Sequence, residues 1–178
     1  MSDPLRASLY AFNVIQKKRK KVEGAPKPAL GRKVARVGVV GAGLMASQLA
    51  LLLLRNLKCP VVMTDIDQER ADKGVAWVKN ELAKLVEKKR MSAESAGRLS
   101  LLISGSSDQQ VFAGCDFVIE AIFEELSLKQ ELFKKLEKIV GPECVLATNT
   151  SSLSVERMSE GLEHPERVVG FHFFNPVA

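Results

Sequence analysis

Gly41, Gly43 and Ala46 occupy the first, third and sixth places of the run Gly41-Ala42-Gly43-Leu44-Met45-Ala46. Residues of that size in that pattern let a backbone approach a diphosphate. Gly41 permits a tight turn, Gly43 removes the side chain where phosphate oxygens would sit, and Ala46 is small enough for a helix to pack close on a strand. A helix opening at Leu44 and Met45 would add unpaired N–H groups and the positive end of its dipole. Asp65 lies 24 residues beyond Gly41, close to the spacing of about 20 at which a carboxylate reads ribose hydroxyls. Ile66 and Asp67 follow it, offering no adjacent cation to an additional phosphate. The ligand chemistry is that of a dinucleotide. NAD is favoured over NADP, FAD fits the same turn, and a glycine turn without a ligand stays open.

Three further stretches carry chemistry-bearing side chains: Glu120-Ala121-Ile122-Phe123-Glu124, Asn149-Thr150-Ser151-Ser152-Leu153, and Gly170-Phe171-His172-Phe173-Phe174-Asn175-Pro176. Histidine can move a proton near neutral pH, yet a histidine among aromatics can also be structural. Ser151 and Asn149 suit turns and caps as readily as ligands. Lys129 by itself reads as a solvated helix lysine. Lys88-Lys89-Arg90 could attract phosphates or form a plain solvated face.

These residues need strands and helices to position them, and the hydropathy pattern supplies both. Strands are predicted at 34–40, 61–63, 101–104, 117–119, 144–147 and from 168 to 171. Helices are predicted over 44–56, 67–90, 92–99 and 127–139. Strands alternating with helices predict an α/β fold of the Rossmann type, a doubly wound, mainly parallel sheet. In such a sheet ligands bind at the carboxyl ends of strands, where all four chemical stretches fall. Ahead of it, residues 3–21 read as a helix. Asp3 suits its cap, Pro4 its first position, and Leu5, Leu9, Phe12 and Ile15 its apolar stripe. Gly24-Ala25-Pro26-Lys27-Pro28 reads as a linker. The expected organisation is an N-terminal helix and linker over 1–30 and one domain over 31–178.

Charge and composition exclude some functions. The net charge is +5, but residues 1–33 hold nine Lys or Arg against Asp3 and Glu23. The globular part is therefore close to neutral and carries no basic groove for nucleic acid. The basic helix alone leaves attachment to nucleic acid or an anionic membrane open. No run approaches the roughly 20 apolar residues of a membrane span. Cys59, Cys115 and Cys144 are scattered and suggest neither zinc nor disulfides, which fits a reducing compartment.

Taken in order, Gly-x-Gly-Leu-Met, Glu-Ala-x-x-Glu, Asn-Thr-Ser-Ser and His-Phe-Phe-Asn-Pro resemble the 3-hydroxyacyl-CoA dehydrogenases of fatty acid β-oxidation, over residues 34–178. Ala46 departs from the glycine usual there. The resemblance implies NAD-dependent oxidation of a 3-hydroxyacyl-CoA to a 3-ketoacyl-CoA. It makes His172 the proton acceptor, Ser151 the hydrogen-bond donor to the reacting oxygen, and Asn175 a polar neighbour of both. Gly41, Gly43, Leu44, Met45, Asp65, Ala121, Glu124, Lys129, Asn149 and Ser151 become cofactor positions, and Lys88 a candidate CoA contact.

The segment Leu5-Arg6-Ala7-Ser8-Leu9-Tyr10-Ala11-Phe12 with its basic run resembles the connector of multifunctional β-oxidation proteins. There it joins an enoyl-CoA hydratase domain to the dehydrogenase. Family members also carry a glutamate beyond Asn-Pro and a helical C-terminal domain, and this sequence stops at Ala178. The resemblance therefore implies the cofactor part of an enzyme, turning over little or no substrate alone, with an apolar docking face that favours self-association or a homo-oligomer. A non-catalytic NAD-binding module and a dehydrogenase of another small hydroxy acid are the competing readings. A cytoplasmic location is expected, or the mitochondrial matrix or peroxisome in a eukaryote.

Overall fold

Strand β1 (Val37–Val40) enters the molecule fully buried, because its valines are needed on both faces. Val37 and Val39 pack among Leu49, Leu54, Val78 and Leu82, while Val40 packs among Val62, Phe112, Leu132 and Leu136. Alternation with a period of two delivers successive side chains to opposite faces. A sheet apolar on both sides requires two layers of helices. The structure is a computed structural model and describes residues 3–18, 24, 31–175 and 177. The chain divides into two units, 1–33 and 34–178.

In the second unit, α2 (Leu44–Leu57), β2 (Val61–Thr64), α3 (Gln68–Glu87), α4 (Ala93–Leu101) and β3 (Ile103–Ser106) follow β1. Then come a 3-10 turn (Gln109–Phe112), β4 (Phe117–Glu120), α5 (Leu126–Ile139), β5 (Val145–Thr148), a four-residue helix (Val155–Met158), a second 3-10 turn (Pro165–Arg167) and β6 (Val168–Gly170). All six strands are parallel in the order β3-β2-β1-β4-β5-β6. This is a Rossmann-type sheet. The chain moves outward one way from β1 and then returns to leave the other way from β4. That reversal opens a crevice at the carboxyl ends of β1 and β4.

The first unit contains the helix Asp3–Lys18. It begins at Asp3 itself, and Leu5, Leu9 and Phe12 of the expected stripe are exposed. Residues 19–23, most of the expected linker, and Pro176 lie outside the described residues, as does the side chain of Ile15.

Several boundaries differ from the sequence expectation for physical reasons. β1 starts at Val37 rather than 34, because the N–H groups of Ala35 and Arg36 donate to Asp116 Oδ2, at 2.7 and 2.9 Å, instead of to a strand. β3 starts at Ile103 rather than 101. α4 runs on through Leu101, which is 87% exposed at the helix end, and Ile103 is the first residue to enter the core. β5 starts after Cys144, whose N–H closes a turn onto Gly141. The three short helical turns lack enough residues to display a period and were not expected. The three cysteines are buried thiols. Burial pushes Cys115 up to about 11 and Cys144 up to about 12, so neither is a nucleophile at neutral pH.

Two glycines in helices occupy opposite situations. A Cβ on Gly74 of α3 would lie 2.8 Å from Ala42 Cβ and 3.0 Å from Met63 Cε, whereas one on Gly97 of α4 would meet nothing within 4 Å. Alanine gains about 1 kcal/mol of helix propensity at either site. At Gly97 that gain stands alone, so Gly97→Ala should stabilise by roughly 0.5–1 kcal/mol. At Gly74 overpacking of about 1–3 kcal/mol outweighs it, so Gly74→Ala should destabilise. Urea midpoints with unchanged m-values test both. A midpoint that rises for Gly74→Ala would show that the glycine turn yields to α3.

Candidate functional site

The glycine turn takes its shape from one backbone angle and one carboxylate. Gly41 has φ +102°, and a Cβ there would stand 3.0 Å from Ala121 O. Only glycine meets both conditions without strain. Asp65, directly after β2, accepts the N–H of Ala42 on Oδ2 at 2.7 Å and that of Ile66 on Oδ1 at 2.8 Å. Asp65 is thus a strut of the turn as well as the expected reader of ribose. Ala46 is fully buried, as a residue pressed between helix and strand must be.

α2 starts at Leu44 with Gly43 as its cap residue, no side-chain cap and no acidic residue in its first turn. α3 and α4 begin differently, with Asp67 and Ser92 accepting a backbone N–H and with Glu69 and Glu94 in the first turn. Free N–H groups at an uncapped N-terminus, beside a glycine whose missing Cβ faces open space, are what a diphosphate requires. The turn borders a cleft of about 890 Å³ lined by Gly41, Gly43, Asp65, Ile66, Ala121 and Phe123, among others. These residues fit an NAD phosphate and adenosine. Arg70 and Lys73 also line the cleft, which corrects the expectation that no cation stands near Asp65. Both lie on α3, where helical spacing from Asp67 would have found them. Each is committed to a neighbour: Arg70 Nε is 3.4 Å from Asp67 and Lys73 Nζ 2.6 Å from Glu69.

Across the crevice, side chains rather than backbone set the geometry. Lys129, on α5, is 1% exposed and Glu120, the last residue of β4, 0%. Lys129 Nζ donates to Glu120 Oε1 at 2.6 Å and Oε2 at 2.8 Å. The solvated reading of Lys129 is therefore wrong: α5 turns this position inward, and the ammonium is matched by a buried carboxylate. Glu120 further accepts the hydroxyl of Thr148 and, at 3.1 Å, the N–H of Ile122. Thr148 Oγ1 in turn accepts Thr150 N at 3.2 Å. Glu124 Oε1 takes the hydroxyl of Thr150, Ser151 N at 3.1 Å, Ser152 N at 3.4 Å and Ser152 Oγ at 3.2 Å. Its Oε2 lies 3.4 Å from Lys129 Nζ. Glu120 and Thr150, inside the stretches noted in the sequence, had no role assigned there and Thr148 was not noted at all, because a carboxylate ending a strand gives no sign of its buried partner.

The tail after β6 is held by side chains on both sides. Phe171 N donates to Thr148 O. Asn149 Oδ1 accepts Phe173 N at 2.8 Å, and Gln48 Oε1, on α2, accepts Val177 N at 3.1 Å. Phe171 contacts both Phe117 and Phe173 edge-on, at centroid distances of 5.7 and 4.8 Å. His172 and Phe174 alternate with them and contact each other at 4.7 Å. The side chains of His172, Asn175 and Ser151 are exposed at this end of the sheet. Asn149 was expected to shape the loop of Ser151; its side chain instead ties that loop to the tail carrying His172. Lys88 caps the far end of α3, about 30 Å along the axis from the first turn, and is not among the crevice residues. Among the described residues no three His, Cys, Asp or Glu side chains gather as metal ligands.

Burial alone would raise the Glu124 carboxyl. The Thr150 hydroxyl, the Lys129 charge and the Ser151 N–H outweigh burial and hold it at about 2 rather than 4.5. A carboxyl with a depressed folded pKa contributes stability above its unfolded pKa and loses it as pH falls through the folded value. Unfolding free energy should therefore decline as pH drops from about 4.5 towards about 2. Glu124→Gln should flatten that part of the profile when urea unfolding is followed from pH 6 to pH 3. A profile of unchanged slope would remove Glu124 from the acid response.

Residues 36–178 match the model of the 3-hydroxyacyl-CoA dehydrogenase, NAD binding domain. The chain is 35% identical over 178 residues to the peroxisomal fatty acid beta-oxidation multifunctional protein AIM1 of Arabidopsis thaliana, covering 99% of this chain and 24% of that one, so it spans about a quarter of that relative's length. It is 37% identical over 146 residues to the glyoxysomal fatty acid beta-oxidation multifunctional protein MFP-a of Brassica napus, covering 82% of this chain and 20% of the relative. Among solved structures, 3-hydroxybutyryl-CoA dehydrogenase from Escherichia coli K12 superposes with a TM-score of 0.79 at 32% identity, covering 82% of this chain and 31% of that one. The (S)-3-hydroxybutyryl-CoA dehydrogenase PaaH1 from Ralstonia eutropha gives 0.76 at 35%, covering 81% and 50%. The chain belongs to the family of 3-hydroxyacyl-CoA dehydrogenase NAD-binding domains.

Proposed function

We propose that the chain holds NAD for the oxidation of a 3-hydroxyacyl-CoA to a 3-ketoacyl-CoA in fatty acid β-oxidation. The observation that carries this reading is the bond from Phe173 N to Asn149 Oδ1. It keeps the His172 segment against the loop bearing Ser151, on the β4–β6 side of the crevice. NAD, when bound, supplies the acceptor for hydride. His172 takes the proton of the substrate hydroxyl, a general-base role that an exposed imidazole nitrogen can fill. Ser151 donates to the reacting oxygen from a loop held by Glu124. Asn175 stands between the anchors at Phe173 and Val177 and completes the polar rim. Gly41, Gly43, Leu44 and Met45 receive the diphosphate, Asp65 the adenosine ribose, and Ala121, Glu124, Asn149 and Ser151 line the nicotinamide half. Lys129 serves that half through Glu124. A CoA phosphate contact at Lys88 requires a substrate that extends along α3.

Enoyl-CoA hydratase and C-terminal dehydrogenase domains are the partners this reading implies, with a homo-oligomer as a further possibility of the same assembly. The names of the plant relatives support a peroxisomal site over the expected cytoplasmic one. Among the described residues no helix is long and apolar enough to cross a membrane.

Two measurements test the roles. Asp65→Ala removes both the strut under Ala42 and the ribose acceptor. NAD affinity should fall by about tenfold to a hundredfold, on the order of 1.4–2.8 kcal/mol, and the preference over NADP should narrow. Unchanged affinity would refute the assignment. For the chemical step, residues 36–178 replace the matching domain of the Escherichia coli relative, and His172→Gln is compared with the parent graft. Turnover should fall by about a hundredfold or more with NAD affinity retained. An active His172→Gln graft would remove His172 from the proton transfer.

A further inference from the structure

The charges bordering the crevice are not all matched one to one. The β1–β3 side presents the uncapped start of α2 together with Asp65, and with Arg70 and Lys73, each paired to an acidic neighbour on its own helix or cap. On the β4–β5 side two carboxylates, Glu120 and Glu124, share the single ammonium of Lys129. Glu120 satisfies Lys129 at both oxygens. The uncompensated negative charge therefore rests on Glu124, whose side chain is 39% exposed. The loop around it cannot let it turn away, because four donors from Thr150, Ser151 and Ser152 converge on Oε1.

A dinucleotide lying across a doubly wound sheet puts its adenosine over one half and its second nucleoside over the other. With Asp65 on the adenosine half, Glu124 stands on the half that takes nicotinamide. That ring is cationic when oxidised and neutral when reduced, while the diphosphate is the same in both. We infer that Glu124, fixed by Lys129 and the Thr150–Ser152 loop, is an electrostatic selector that makes the domain bind oxidised NAD in preference to NADH. This rests on the cofactor placement proposed above. A fixed charge at partly screened distance changes the ratio of the two affinities by roughly three- to tenfold. A tenfold change in that ratio displaces a bound two-electron couple by about 30 mV.

The test titrates the full 178-residue chain with NAD and, separately, NADH. It compares the native protein with Glu124→Gln, Glu124→Asp and Ser152→Ala, each checked by thermal unfolding. Glu124→Gln should lower the ratio Kd(NADH)/Kd(NAD) three- to tenfold. Glu124→Asp keeps the charge and should keep most of the ratio. Ser152→Ala disturbs the same loop without changing charge and should move both affinities alike. A second readout needs no variant: raising KCl from about 0.05 to 1 M screens the exposed carboxylate, so the native ratio should approach one. Equal losses of both affinities in Glu124→Gln would make the residue purely structural, and a salt-independent ratio would equally overturn the inference. If the native chain binds neither form, the cofactor placement itself fails, which is a distinct result.

Discussion

An ammonium group with almost no contact with water has to be neutralised where it stands, and Lys129 meets that demand through Glu120. Such a pair is not the least costly way to fasten α5 to the sheet. Two apolar side chains of similar volume would hold it about as well. What the pair adds is direction. The carboxylate that balances Lys129 also accepts the Thr148 hydroxyl and the Ile122 N–H, so one buried group defines the loops leaving both β4 and β5. Removing a single partner would strand a buried charge, at a cost of about 3–5 kcal/mol. The cost is high because the charge is deep, and the depth keeps the loops from finding an alternative arrangement.

The two halves of the crevice solve different problems. A diphosphate has the same charge whatever its nucleosides do, so backbone N–H groups and missing side chains suffice for it. The glycines provide the space and the sheet provides the angle, with Asp65 bracing the turn at Ala42. On the proposed function, the other half must distinguish atoms of a substrate and cofactor that change during the reaction. It is built from hydroxyls, an amide and carboxylates, joined in one hydrogen-bonded network. Glu124 shows the division clearly, with Oε1 consumed by the loop after β5 and Oε2 left facing Lys129.

This division also decides what the sequence could disclose. The alternation of strand and helix, the glycine spacing and Asp65 depend on local periodicity and on distances along the chain, and all were legible. Boundaries moved where a side chain replaced a strand bond, as Asp116 does for Ala35 and Arg36. The charge network was invisible because its members are far apart in sequence: Thr148 lies 28 residues from Glu120, its bonding partner. Lys129 is the instructive case. It sits in a charged helix, where lysine ordinarily faces water, and only the phase of α5 against the sheet turns it inward. The role of Asn149 was hidden in the same way, since its partner is a backbone N–H on a tail with no regular structure.

That tail shows how an irregular segment can carry exact positions. Residues beyond β6 lack a neighbouring strand to fix them, and an unsupported loop would leave His172 free to wander. Three constraints replace the ladder: the Asn149 amide on Phe173 N, the Gln48 amide on Val177 N, and the edge-on contacts of Phe171 with Phe117 and Phe173. Asn149 is itself placed by its own N–H on Glu120 O. The position of the histidine is thus referenced to the main chain at the end of β4, through Asn149. The Ser151 loop is referenced to the same region by side chains, the Glu120 carboxylate on Thr148 and the Glu124 carboxylate on Thr150, Ser151 and Ser152. The Ser151 loop and the His172 tail therefore share one support, the end of β4 and the residues just after it, and a displacement there would carry both in the same direction and disturb the distance between them less than separate supports would.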